Sequence, residues 1–185
     1  KLSLHNNSKD ALKDEYIINN VKPNLYIFGS GHIGQALISK LENINFNTFI
    51  IDSREDYLKM TNIKDINYLL SKKPWEIVSK LEDNSYFIVL THSHDYDLKI
   101  LNEILKKNNT FVGLIGSLTK KKRFYKRLID NGHNKSIVDK IECPIGIDIG
   151  NSKDPNEIAF SIITRIISIK NSLKHLSNNK IKKVI

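Results

Sequence analysis

One cysteine in 185 residues, Cys143, has no partner for an internal disulfide and cannot form a multi-cysteine metal site. Proline and tryptophan are scarce, at 4 and 1 residues, and no Pro-rich linker, repeat or low-complexity stretch divides the chain. Long apolar runs are missing as well. None approaches the roughly 18 residues of a bilayer-spanning helix, and no charged-then-apolar leader opens the sequence. These absences predict a cytoplasmic protein with no membrane partner. The chain starts at Lys1 rather than methionine, which suggests a fragment or a processed product. Acidic residues are outnumbered by basic ones, 20 to 29, for a net charge of +9. The densest basic cluster is Lys120-Lys121-Lys122-Arg123 with Lys126 and Arg127. No aromatic stacking platform or nucleic-acid motif accompanies it, so a solvated helix face is favoured over a nucleic-acid partner.

What the chain does contain is a 40% hydrophobic composition, enough for one globular core, and a strong local signal near its start. The apolar run Leu25-Tyr26-Ile27-Phe28 leads directly into Gly29-Ser30-Gly31-His32-Ile33-Gly34, a G-x-G-x-x-G turn. In such a turn the first glycine permits a tight bend, the second lets backbone approach a pyrophosphate, and the third lets the new helix pack on its strand. The helix that follows would aim its N-terminal amides at an anion. A second β-type run, Phe46 to Ile51, ends at Asp52, which lies 18 positions after Gly34. That is near the spacing of about 20 for a carboxylate that takes a ribose hydroxyl pair. Arg54 can stack on adenine or receive a 2′-phosphate, although Asp52 would repel the latter.

Strand patterns recur at Leu25 to Phe28, Thr48 to Ile51, Ile66 to Leu70, Tyr86 to Thr91 and Phe111 to Ile115. Helical patterns fall at His32 to Asn43, Pro74 to Leu81, His94 to Lys107 and Leu118 to Asn131. The alternation predicts an α/β fold, a doubly wound Rossmann-like parallel sheet with helices on both faces. Residues 1–22 read as a helical lead-in with its core from Ser8 to Asn20. Residues 23–177 read as the nucleotide- or cofactor-binding domain, and 178–185 as a basic, frayed tail. Asp154-Pro155-Asn156-Glu157 marks a helix start with a capping box, and Ile158, Ile162, Ile163, Ile166 and Ile169 give that helix a buried face to about Leu176. It is expected to close the domain or to pack against a second subunit in a homodimer.

Further polar groups cluster where strands should end. Thr91-His92-Ser93-His94-Asp95-Tyr96-Asp97 follows the fourth strand, and strand carboxyl ends border the ligand crevice of this architecture. His92 and His94 are candidates for ligand contact and weaker candidates for a metal; Asp95 and Asp97 read equally as residues that start the next helix. Gly113-Leu114-Ile115-Gly116-Ser117 is suited to close backbone approach or to a turn. Pro144 to Gly150 reads as an irregular apolar loop or short strand that folds back over the crevice, or as a tight turn. Cys143 reads as a small buried hydrophobe.

Taken together, Leu25 to Gly34, Ile51-Asp52-Ser53-Arg54, Thr91 to His94, Gly113 to Ser117 and Pro144 to Gly150 resemble the XdhC/CoxI family, accessory proteins for xanthine dehydrogenase and related molybdenum hydroxylases. The resemblance runs from about Pro23 to about Lys170. It implies a non-catalytic maturation factor that binds the molybdenum cofactor (molybdopterin), protects it during sulfuration, and delivers it to the apoenzyme. The implied partners are that hydroxylase and a sulfurating desulfurase. Carried onto this sequence, the implied binding residues are Gly29, Gly31, His32, Ile33, Gly34, Asp52, Arg54, Thr91, His92, His94, Gly116 and Ser117. Family members commonly carry an additional N-terminal domain, and nothing before Val21 resembles it. The residues alone also fit an oxidoreductase using an NAD-type dinucleotide, or a module that senses NAD or another nucleotide without chemistry.

Overall fold

The computed structural model describes residues 22–60 and 63–181, with side chains described to residue 173. The Ser8 to Asn20 lead-in and the last four residues of the basic tail lie outside the described residues. Five strands, β1 (Asn24–Phe28), β2 (Asn47–Asp52), β3 (Ile66–Leu70), β4 (Ser85–Val89) and β5 (Asn109–Leu114), form one parallel sheet in the order β3-β2-β1-β4-β5. The fold is a Rossmann-like α/β sheet. β1 and β4 carry continuous apolar runs because both their faces are covered, as expected for inner strands of a parallel sheet.

Alternate residues feed two cores. Leu25, Ile27, Ile50 and Ile88 point to one face, which is closed by α1 (His32–Leu41) and α6 (Pro155–Ile181) through Leu37, Ile38, Ala159, Ile162 and Ile166. Tyr26, Phe28, Ile51, Phe87, Val89 and Leu114 point to the other, where α3 (His94–Ile104) and α4 (Leu118–Asp130) supply Leu98, Leu101, Ile104, Phe124 and Leu128. The period of two along the strands and the period near 3.6 along the helices meet on each face. α6 starts at the expected cap, where Asp154 Oδ1 accepts from the Asn156 and Glu157 amides at 2.7 and 3.4 Å. The reciprocal half of the capping box is relayed. Glu157 accepts from the Ser152 hydroxyl, which in turn accepts from the Asp154 amide. The helix runs on to Ile181, past the expected end near Leu176.

Pro74 to Leu81 does not form the expected α-helix. It winds as successive turns ending in a 3₁₀ segment, Val78–Lys80, because the crossover is too short to nucleate a longer helix. Two short helices lie outside the periodic patterns: α2 (Glu55–Lys59) and α5 (Lys135–Val138), the latter capped by Asn134 Oδ1. Beyond β5, Glu142 joins the sheet edge by exchanging backbone hydrogen bonds with Val112 and Leu114. Gly113 serves this packing rather than a ligand, since a Cβ there would sit 2.1 Å from Ile145 Cδ1.

β1 lies between β2 and β4, so the chain leaves it in one direction and later returns on the other side. The carboxyl ends of β1 and β4 therefore face a crevice at the point where strand order reverses.

Candidate functional site

The three glycines of the turn do separate jobs. Gly29 has φ +115°, and a Cβ on it would meet the Leu90 carbonyl oxygen at 2.4 Å, because β4's outgoing loop runs against the turn. Gly34 lies against the turn itself, 2.3 Å from the Gly29 carbonyl oxygen to an added Cβ. Gly31 differs from both. Its φ of −68° suits any residue and nothing lies within 4 Å of an added Cβ, so the protein's own packing does not require glycine there. The space that its missing side chain leaves is open to the crevice. No side chain caps α1, whereas Ser93 caps α3 and Ser117 caps α4. The first amides of α1 are thus left for water or for an anion.

Asp52 stands at the end of β2, 3% exposed, with both oxygens engaged. Oδ2 accepts from the Ser30 amide at 2.7 Å, the Ser30 hydroxyl at 3.0 Å and Arg54 Nη2 at 2.9 Å. Oδ1 accepts from Arg54 N and Nε, each at 3.0 Å. Burial opposes ionisation, but the Arg54 hydrogen bonds and the Ser30 and Arg54 amides outweigh it and hold the carboxyl at about 2. The carboxylate faces the glycine turn and Arg54 rather than the open crevice. Arg54, stacked over Tyr57 at 3.8 Å, is the group presented outward.

Two clefts open on either side of Thr91 and His92. The first, about 470 Å³, is lined by Gly31, His32, Ile33, Arg54, Thr91 and His92, with Tyr57, Leu90, Ile115, Lys153 and Pro155 completing it. The second, about 370 Å³, is lined by Thr91, His92, His94, Gly116 and Ser117, together with Thr119, Lys120 and Arg123. Nine of the twelve expected binding residues therefore line one or both clefts. Gly29, Gly34 and Asp52 lie beneath and shape them. Among the described residues, no group of three His, Cys, Asp or Glu side chains converges as a metal site.

A buried ion-pair network absent from the sequence expectations lies at the base of the second cleft. Asp97 is fully buried; its Oδ1 accepts from the Thr91 amide at 3.0 Å and hydroxyl at 2.7 Å, and its Oδ2 from Lys120 Nζ at 2.6 Å. Asp97 is thus more than a residue favourable to a helix start. Lys120 corrects the solvated-face reading of its cluster: it is 8% exposed and points inward, while Lys122, Arg123, Lys126 and Arg127 remain outside. Gly116 makes this possible, since a Cβ on it would lie 2.4 Å from Lys120 Cδ. Cys143 is buried beside this network, and burial pushes its thiol above the ordinary range, so it reads as core.

Residues 25–166 match the family model described as the XdhC Rossmann domain. The chain belongs to this family. The XdhC Rossmann domain seen here is similar to a probable xanthine dehydrogenase subunit of Bacillus subtilis (strain 168), 27% identical over 151 residues, or 80% of this chain and 43% of that protein. It is also 23% identical over 156 residues to the uncharacterized protein YqeB of Escherichia coli (strain K12), covering 84% of this chain and 29% of that one. A solved structure described as a xanthine dehydrogenase from Bacillus halodurans superposes with a TM-score of 0.69 at 27% identity, over 82% of this chain and 43% of that one. The domain spans less than half the length of each of these relatives. Among its described residues no helix is long and apolar enough to cross a membrane.

Proposed function

We propose that this XdhC Rossmann domain binds the molybdenum cofactor at the Gly31 crevice and serves its delivery to a xanthine dehydrogenase-type molybdenum hydroxylase in the cytoplasm. The observation that carries the reading is Gly31, a glycine that neither backbone strain nor packing requires, set at an uncapped helix start beside Arg54. A cradle that a Cβ would fill, next to a guanidinium, fits the phosphate of a pterin cofactor. That cofactor is cargo whose metal supplies oxidative hydroxylation in the recipient enzyme. Here Gly31 and the α1 amides would hold the phosphate, Arg54 would neutralise it, and Thr91 and His92 would orient the rest of the ligand. Asp52 would fix Arg54 in place. The names of the Bacillus relatives, both of xanthine dehydrogenase, support a hydroxylase partner. A desulfurase that sulfurates the bound metal would be the second partner.

An NAD-type dinucleotide is the competing cargo, since the glycine turn accepts a pyrophosphate equally well. Asp52 disfavours it. A ribose diol would have to displace donors that already occupy both carboxylate oxygens. Calorimetric titration of the purified protein with molybdopterin, NAD and NADH separates the readings. Molybdopterin is expected to bind and to promote association with apo-hydroxylase; tight NADH binding with no affinity for the pterin would overturn the proposal.

A further inference from the structure

The cleft beside α4 carries charge in an arrangement that the glycine turn does not explain. No carboxylate lines it. The acid beneath, Asp97, is already neutralised by Lys120, which spends a second donor on the Ile115 carbonyl at 2.9 Å. Arg123 is held in a different way. Its Nη2 lies 3.1 Å from His94 Nδ1, and its guanidinium carbon lies 5.8 Å from the Phe124 ring centroid. No carboxylate pairs with Arg123 among the described residues, so these contacts orient it and its charge is left uncancelled. The hydroxyl of Thr119, on the same wall, has no hydrogen-bond partner among the described residues. A guanidinium fixed without charge compensation, facing a cleft of about 370 Å³ beside a free hydroxyl, is complementary to an oxyanion.

We infer that this cleft is a second anion subsite, in which Arg123 and Thr119 contact a phosphate-like or carboxylate-like group. The first cleft, with Arg54 and Gly31, takes a different anionic group, and Thr91, His92 and Ile115 form the wall they share. The inference rests on the proposed function only in assigning both clefts to one ligand. On that assignment the ligand is a compound with two separated anionic groups, as in a phosphorylated pterin whose metal carries oxo ligands. A dinucleotide with one central pyrophosphate and no anionic group at either end leaves the Arg123 subsite without a partner.

The test uses the full chain, labelled with nitrogen-15 and titrated with inorganic phosphate, with amide shifts read at Ser117 to Thr119 and separately at Gly31 to Ile33. Saturable shifts at Ser117 to Thr119 are expected in the native protein. Arg123→Gln should weaken binding there at least fivefold and leave the Gly31 to Ile33 titration unchanged, whereas Arg123→Lys should retain most of the affinity. Arg123 is exposed, so neither variant threatens the core. An absence of shifts at Ser117 to Thr119, or an Arg123→Gln titration equal to the native one, would overturn the subsite. If phosphate binds there normally while molybdopterin fails to bind, the subsite stands and the proposed cargo falls.

Discussion

Replacing Gly31 by alanine should separate ligand binding from folding, with Gly34→Ala as the control in the same turn. At Gly34 the added Cβ would sit 2.3 Å from the Gly29 carbonyl oxygen, about 1 Å inside an ordinary contact. The Cβ position is fixed by the backbone and the oxygen is a backbone atom, so no rotamer relieves the clash, and α1 must move away from β1. Overpacking of this kind costs typically 1–3 kcal/mol and more where nothing yields, so about 3 kcal/mol is expected. For a domain of this size that is roughly a 10 °C fall in Tm. At Gly31 no atom lies within 4 Å and φ is −68°. The lower entropy of the unfolded chain favours alanine by about 0.4–1 kcal/mol, offset by the poorer helix N-cap of alanine. The net change in stability should stay below about 1 kcal/mol.

Binding should show the reverse order. A methyl at Gly31 fills the space where a phosphate would meet the α1 amides, and a 10- to 100-fold loss of affinity corresponds to about 1.4–2.8 kcal/mol. Thermal denaturation followed by circular dichroism reads the first quantity, and calorimetric titration with molybdopterin and with NADH reads the second. If Gly31→Ala binds every such ligand as tightly as the native protein, or loses as much stability as Gly34→Ala, then the open space at Gly31 is not a ligand site and the reasoning fails.

Asp52→Asn should remove a pH-dependent part of stability. The native carboxyl titrates at about 2 rather than at its ordinary 3.8, which corresponds to about 2 kcal/mol present above 3.8 and lost as pH falls towards 2. Urea unfolding at pH 6 and pH 2.5 should show a shallower pH dependence in the variant, and equal dependence would refute the role given to Arg54. Trp75, the one tryptophan of the chain, packs edge-on to Tyr96 at 4.9 Å, and Tyr96 meets His92 at 5.4 Å. Ligand entering the first cleft should therefore change tryptophan emission, and His92→Ala should abolish the change even if binding persists. Ile166→Ala removes a fully buried side chain between α6 and the sheet, and should cost about 2–5 kcal/mol by chemical denaturation. A cost below 1 kcal/mol would mean that α6 is not part of the cooperative core.

The glycine turn and its strand were legible because their constraints are local. Gly29 needs its positive φ and Gly34 its contact with the Gly29 carbonyl within one turn, so spacing carried that geometry; the approach of Leu90 to Gly29 comes from β4 and was not legible. The role expected of Asp52 depended on where its side chain points, and that is set by Ser30 and Arg54 together; the spacing to Gly34 is the same whether the oxygens face a ribose or a guanidinium. The Pro74 to Leu81 turns and the two short helices were obscured for another reason. Segments this short get their conformation from the ends they must join rather than from periodicity.

The Lys120–Asp97 pair is the more instructive omission, because a signal for it was present. Lys120, Phe124 and Leu128 are spaced by four and form the buried stripe of α4, and Asp97, Leu101 and Ile104 form the corresponding stripe of α3. Each helix thus places a charge at the core-facing position of its first turn. A charge buried alone costs several kcal/mol, so a stripe position occupied by lysine requires a partner. β4 and β5 are adjacent, so α3 and α4 share a sheet face and start at the same edge. Opposite charges at matching stripe positions of two such helices can satisfy each other only by pairing above the carboxyl ends of those strands. That is where the crevice lies, and the pairing leaves Arg123, about one turn along α4 from Lys120, as the cation of α4 that lines the cleft and is available to a ligand.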